Sequence, residues 1–418
     1  MKFLAIALLQ ILLGWLIIQV GLMFVFVFYL GSNQGNSVSD KQLPKTAIIL
    51  CLRGTDPFLP NCLKALLKQD YPQYDLKIVV DSQEDPAWQV ANNTIADSGA
   101  TNVQISPLKV ASTACSLKCS SLVQAVSELD SSYQVVALVD ADTVVHSNWL
   151  RELVTPLMHP KVGATTGNRW YLSKGRYWGT LVRYLWNVSA VIQMYLYGIC
   201  WGGTLAIKTQ VIHETRMLEK WARAFNEDTM VKSILAKHNL KVKFVPSLLI
   251  LNREECTLSG LINWMKRQLL ASRLYHPQWW LVIVNAVFSI LLPNVILGLC
   301  LVNFLINKWE ISQILFVCYS IYIFGILLIV IILETAVRQV IRTKKIMPKF
   351  SVANLTKILI GIPLTHWFYG FALVSSMWIS TVSWRNIVYR IKSPFNIELT
   401  EYHPYQSDNQ AVDNQISL

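Results

Sequence analysis

Four long apolar runs constrain this chain more than any other feature. The first fills residues 1–30 with a single Lys at position 2, and the others extend from about Trp279 to Ile306, Ile311 to Leu333 and Ile358 to Val382. Each is at least as long as the roughly 20 residues a helix needs to cross a hydrocarbon core. The whole chain, 53% hydrophobic and only 15% charged with a mean hydropathy of +0.38, is too apolar for an ordinary soluble enzyme and reads as a membrane protein. The first run is expected to be a retained anchor, because a cleaved signal peptide has a shorter apolar core and a small-residue cleavage site. The polar stretch "GSNQGNSVSD" follows it as a linker.

Charge then orients the spans. "RQVIRTKKIMPKF" lies between the last two runs, and its density of Arg and Lys places it in the cytoplasm. The domain between the first and second runs shares that side, and "NKWEIS" makes a short outer loop. The last run is interrupted by Gly361, Pro363, His366 and Gly370 and is followed by basic "WRNIVYRIK", which favours a hairpin with both ends cytoplasmic over a single span. The net charge of +12 needs no nucleic acid, since basic residues beside apolar spans meet anionic lipid headgroups. No nucleic-acid recognition fold is evident. The eight cysteines are scattered, and the Cys115/Cys119 pair lacks zinc partners.

Residues 44–257 carry a different pattern. "TAIILCL", "LKIVVD", "NVQIS" and "QVVALVD" read as strands, and amphipathic segments such as "PFLPNCLKALLKQ" and "CSLKCSSLVQAVSEL" read as helices between them. Strands alternating with helices predict an α/β domain with a doubly wound, mostly parallel sheet, whose ligands bind beyond the carboxyl ends of the strands. Asp81 stands at one such end. Asp140 and Asp142 stand at another, where a buried strand reaches a turn and two carboxylates one residue apart can aim at a common point. Hard divalent cations such as Mg²⁺ bind in this way, through one or two carboxylates plus substrate phosphates.

The segments "LRGTDPFLPNCLKALLKQDYP" (52–72), "VVDSQEDPAW" (79–88), Lys118 in "CSLKCSSL", "VDADTVV", "WGGTLAIKTQVI" (201–212), "NEDTMV" (226–231) and "KRQLLASRLYHP" (266–277) occur in the order found in one enzyme class. The chain resembles a family 2 glycosyltransferase of the GT-A fold, in the membrane-bound ceramide glucosyltransferase-like branch. That resemblance implies that Asp81 contacts the uridine of a UDP-sugar, that Asp142 with Asp140 holds Mg²⁺ or Mn²⁺ on the diphosphate, that Lys118 contacts the nucleotide, and that Asp228 is the catalytic base with Glu227 in support. Gly202 and Gly203 permit close approach, either to the acceptor or to neighbouring chain.

Each residue also has a structural reading. Asp81 suits a turn, Glu227 and Asp228 suit a first helical turn, Lys118 suits a solvated helix face, and Arg53 with Gly54 suits a plain turn. The segment 258–278 departs from the family's Q-x-x-R-W signature: Gln268 is followed by Ala271 and Ser272 where Arg and Trp are expected, with Arg267 and Arg273 flanking. It is expected to be an amphipathic helix at the membrane surface, with Trp264 on the acceptor side and Gln268 or Arg273 near the diphosphate. The remaining divisions are a C-terminal membrane domain over 279–395 and a disordered polar tail over 396–418. The expectation is a membrane-bound inverting hexosyltransferase passing glucose from UDP-glucose to a lipid hydroxyl. A processive polysaccharide synthase and a nonenzymatic membrane subunit are the alternatives. The broken signature and the few spans weigh against the first, and the presence of Asp81, Asp140, Asp142 and Asp228 together weighs against the second.

Overall fold

The computed structural model describes residues 2–32, 38–172, 177–341 and 352–405. Helix α1 (Lys2–Ser32) precedes the α/β domain, which runs β1 (Thr46–Leu52), α2 (Leu59–Leu66), β2 (Tyr74–Val80), α3 (Pro86–Ser98), β3 (Val103–Pro107), α4 (Leu117–Ser127), β4 (Val135–Val139), α5 (Trp149–Val154), β5 (Val162–Tyr171), α6 (Trp178–Tyr197) and β6 (Thr204–Lys208). Short helices α7 (Thr209–Glu214), α8 (Met217–Trp221) and α9 (Val231–Ala236) lead to β7 (Lys241–Asn252) and α10 (Leu258–Tyr275). The apolar helices are α11 (Trp279–Ala286) joined through a π-helical turn to α12 (Leu292–Leu305), then α13 (Trp309–Val340) and α14 (Val352–Trp378). Strands β8 (Thr381–Trp384), β9 (Ile387–Ser393) and β10 (Asn396–Tyr402) close the described chain.

Seven strands form one sheet in the order β3-β2-β1-β4-β6-β5-β7. Strands β1 and β4 sit in its middle, which is why "TAIILCL" and "VVALV" are apolar on both faces. Local signals set the helix boundaries: Asp85 caps α3 by accepting from the Ala87 N–H, Gly99 ends that helix at φ +61°, and Ser116 caps α4 by accepting from the Cys119 N–H. The sheet is mixed, because β6 runs antiparallel to both β4 and β5. The reversal has a consequence for the site. Thr204 pairs with Val139, so the start of β6 lies beside the end of β4, and Gly202 and Gly203 arrive next to Asp140.

Four helices, Lys2–Ser32, Trp279–Leu305, Trp309–Val340 and Asn354–Trp378, are long and apolar enough to cross a membrane. Large side chains such as Phe3, Phe316, Phe324, Trp367 and Phe371 stand exposed on them, as lipid contact requires. The helices are pinned together by polar groups: Trp15 and Gln19 of α1 both donate to the Ser289 hydroxyl, at 2.9 and 3.0 Å, and Lys2 pairs with Glu310. Helix α13 is fastened to the α/β domain by Glu334, which accepts from Trp170 Nε1 at 2.8 Å and from the Tyr184 hydroxyl at 2.9 Å.

Three expectations are corrected. The last apolar run is one continuous helix rather than a hairpin; Pro363 sits inside it, its missing N–H tolerated among packed neighbours. The segment after Asn396 is a strand, because "SWRNIVYRIKSPFNIELTEY" alternates apolar and polar residues and folds into the three-stranded sheet β10-β9-β8, with Ile387, Tyr389, Ile391 and Ile397 buried against the α/β domain. The last long apolar helix therefore ends at Trp378, well before 395. Thirdly, the apolar side of α10 faces protein: Leu261, Met265 and Leu269 are buried in the core shared with α6 and α14, and little of that side is left for lipid. The basic segment 342–350 and the tail 406–418 lie outside the described residues.

Candidate active site

A cleft of about 250 Å³ opens at the carboxyl ends of β1, β2 and β4. Asp81, Lys118, Asp140, Asp142, Glu227, Asp228, Trp264 and Gln268 all line it, although the chain brings them from five elements or loops.

Lys118 is the electrostatic centre of its floor. Its Nζ lies 2.6 Å from Asp140 Oδ1 and 2.7 Å from Glu227 Oε1, so one ammonium ties the end of β4 to the loop before α9. Burial works against both charged partners. For Asp140, Lys118 and then Arg169 and Arg267 outweigh it, and its carboxyl is held below the usual carboxylate range. For Glu227 burial prevails, and its carboxyl is pushed up. Gly202 and Gly203 serve this packing rather than an opening: a Cβ at 202 would collide with Glu227 Oε1, and one at 203 with the Trp201 ring and Asp140.

Asp228 is held from two sides. The Gly202 N–H donates to Oδ2 at 2.7 Å and the Thr229 hydroxyl to Oδ1 at 2.9 Å, which orients the carboxylate, and it makes no ion pair among the described residues. It also lines a second cavity, of about 160 Å³, which shares Arg169, Trp201 and Gln268 with the cleft. That cavity continues between α6 and the long apolar helices, along Trp186, Val282, Ile290, Ile326, Ile362 and Tyr369. Apolar side chains give most of its surface, and many polar ones, among them Asn187, Gln193, Asn285, Ser289, Thr365 and His366, share the wall. At the junction the Arg169 guanidinium is boxed by the rings of Tyr171, Trp201 and Trp264 at 5.0 to 5.6 Å and donates to Gln268 Oε1 at 3.3 Å.

Asp142 accepts from Asn252 Nδ2 at 2.9 Å and from the Thr143 hydroxyl at 3.1 Å. Burial, reinforced by Asp140, Glu254 and Asp56, pushes its carboxyl up to about 7. Among the described residues no three His, Cys, Asp or Glu side chains cluster to cage a metal by themselves. Asp140 and Asp142 nonetheless fit a divalent cation that takes its other ligands from phosphate and water, and the crowding of negative charge at Asp142 is what such a cation would relieve.

Asp81 is engaged already, in an ion pair with Arg53 and as acceptor of the Tyr402 hydroxyl at 3.0 Å. Arg273 is corrected: it turns from the cleft and donates to the carbonyls of Met377 and Ile379 at the end of α14. Arg267, one turn and a half earlier on the same helix, lines the cleft in its place. Sequence reasoning passed over Arg169 and Arg385, which also line it. A single Arg in a strand or a hairpin turn leaves no local pattern, although the turn itself was readable from "WRN" between two alternating segments.

Residues 12–397 match the family model described as Glycosyl transferase family 21. Among solved structures, the mannosyltransferase PcManGT from Pyrobaculum calidifontis, in complex with GDP-Man and Mn²⁺, is 13% identical with a TM-score of 0.50, the alignment covering 89% of this chain and 99% of that one. Glucosyl-3-phosphoglycerate synthase from Mycobacterium tuberculosis is 14% identical with a TM-score of 0.39, covering 57% and 84%. The fold is GT-A, carried on a set of long apolar helices.

Proposed function

Since the chain belongs to glycosyl transferase family 21, we propose that it is a membrane-integrated, metal-dependent inverting hexosyltransferase that moves a sugar, glucose from UDP-glucose, onto the hydroxyl of a membrane lipid. The observation that carries this reading is the position of Asp228 at the meeting of two cavities, one lined by charge and the other by the long apolar helices. A nucleotide-sugar suits the first. An acceptor with a hydroxyl head and hydrocarbon body suits the second, whereas a water-soluble acceptor would have no use for it.

In the reaction, Asp228 accepts the proton of the acceptor hydroxyl as that oxygen bonds to the anomeric carbon, while the bond from that carbon to the diphosphate oxygen breaks and the electron pair leaves with UDP. Attack from the face opposite the leaving group turns a UDP-α-sugar into a β-linked product. The Gly202 N–H and the Thr229 hydroxyl keep the carboxylate aimed, which preserves the near-attack geometry. Asp140 and Asp142 would hold Mg²⁺ or Mn²⁺, which supplies positive charge against the leaving diphosphate when bound. Lys118 fixes Asp140 for that task, and Asp81 with Arg53 borders the uridine end. The active-site domain would face the cytoplasm on a multi-pass protein, as the basic composition of 338–350 supports.

The test is UDP release by the full chain in lipid nanodiscs with Mn²⁺ or Mg²⁺, across UDP-sugars and lipid acceptors, beside Asp228→Asn. Release that needs one particular lipid and is lost in the variant upholds the reading. Equal turnover by both proteins removes Asp228 as the base, and lipid-independent release removes the acceptor assignment.

A further inference from the structure

The small sheet that follows α14 contributes Trp384, Arg385 and Tyr389 to the wall of the cleft. Its β8–β9 connection is a two-residue hairpin, Trp384 pairing with Ile387 across Arg385 and Asn386, both at positive φ (46° and 61°). Asn is at home in such a turn; an Arg there is strained, and strain of this kind persists where the surroundings hold it for a purpose. Here the hold is reciprocal. Arg53 donates through Nε and Nη2 to the Arg385 carbonyl at 3.0 and 2.9 Å, and Arg385 donates back to the Arg53 carbonyl. The turn is thereby locked onto the end of β1, and the same Arg53 pairs with Asp81.

What the locked turn delivers is a stack of cations. The Trp384 ring lies 5.3 Å from the Arg267 guanidinium and 5.2 Å from that of Arg385, so one indole carries both. Arg385 meets its only ion-pair partner among the described residues, Asp56, at the long distance of 3.8 Å. Arg267 and Arg169 make no ion pair among the described residues. Like charges gathered in a protein cleft repel one another, and burial together with Arg385 and Arg169 pushes Arg267 down to about 10. Guanidinium planes held in this way suit the paired oxygens of phosphate.

We infer that the C-terminal hairpin is part of the donor site, with Arg385 and Arg267, spaced by Trp384, clamping the diphosphate of the nucleotide-sugar opposite Asp140 and Asp142. The inference rests on the nucleotide-donor reading above and deepens it. It makes the last strands a binding element rather than an appendage of the membrane helices. Binding is also coupled to the hairpin's seat, because Tyr402 of β10 reaches Asp81 and the Tyr405 ring packs on Gly54, at φ +69°, where a Cβ would collide with it.

The experiment is equilibrium binding to the full chain in nanodiscs with Mn²⁺, using UDP and uridine as probes, for wild type, Arg385→Gln and Arg385→Lys. Loss of a charge-assisted pair to phosphate should weaken UDP by about 10- to 100-fold in Arg385→Gln and less in Arg385→Lys, while uridine changes by under about 2-fold. Unchanged UDP affinity in Arg385→Gln overturns the clamp. Equal loss for UDP and uridine does so too, reducing the hairpin to a scaffold. Wild type that binds no UDP defeats the donor reading itself, and is distinguishable from both.

Discussion

The Gly202 backbone N–H donates to Asp228 Oδ2 at 2.7 Å, so the residue at the head of β6 aims the carboxylate that lies between the two cavities. A carboxylate so placed is oriented for proton transfer. Asp228→Asn should therefore lower kcat by about 10²- to 10⁴-fold, the usual yield of a positioned base. UDP binding, measured by titration on the same sample, should stay within about 2-fold.

Gly202→Ala tests the neighbouring packing. The added methyl would be driven into Glu227 Oε1 and towards Lys118, which holds both Glu227 and Asp140. The expected outcome is a loss of about 1–3 kcal/mol in stability, typical of overpacking, with activity falling further than the melting temperature alone explains.

Mn²⁺ affinity should depend on pH through Asp142. Its carboxyl, raised from 3.8 to about 7, keeps a proton in the metal-free protein over that range, and the cation must displace it. Apparent affinity should rise as pH climbs through about 7 and be about tenfold weaker at pH 6 than at pH 8. The stability of the metal-free protein has the opposite sign: the native state binds more protons than the unfolded chain, so stability falls as pH rises from about 4 to about 7. Titration calorimetry with Asp142→Asn as control should show the slope disappear.

The apolar cavity can be narrowed without touching the charged cleft. Ala190 of α6 lines it, and Ala190→Phe should raise KM for a lipid acceptor by about tenfold, the scale of a lost few methylenes of contact, while the UDP-sugar KM holds. Equal effects on both substrates would show that the cavity does not take the acceptor.

Glu334 ties the membrane helices to the α/β domain. Glu334→Leu leaves Trp170 Nε1 and the Tyr184 hydroxyl unpaired in a buried place, at about 1–3 kcal/mol for each orphaned group. A lower melting temperature in detergent checks this, and the same loss should not appear for an exposed substitution such as Phe316→Leu.

Much of this architecture is written locally. The apolar runs became the long helices, the four segments read as strands became β1 to β4, and Asp81, Asp140 and Asp228 fell at strand ends and a loop because buried strands expel carboxylates; β5, β6 and β7 were not read. Other features have no local trace. Helix α6 was not read, since its polar residues Arg183 and Asn187 are buried and blur its apolar face. The reversal of β6 was invisible, as a five-residue apolar strand carries no direction. The C-terminal strands were missed, the segment after Asn396 being taken as a disordered tail, and their place beside the cleft has no local trace.

The sequence by itself determined which segments make the long apolar helices, which make the first four strands of the sheet, and which carboxylates stand at its edge, because hydrophobic periodicity and the cost of burying charge act within a few residues. Only the tertiary structure decided that Arg273 grips the end of α14 while Arg267 enters the cleft, that Arg385 meets Arg267 across Trp384, and that Asp228 joins a charged cavity to an apolar one. Those pairings join residues more than a hundred positions apart in most cases, and their energies appear only once the sheet and the helices have packed and fixed which side chains share a wall.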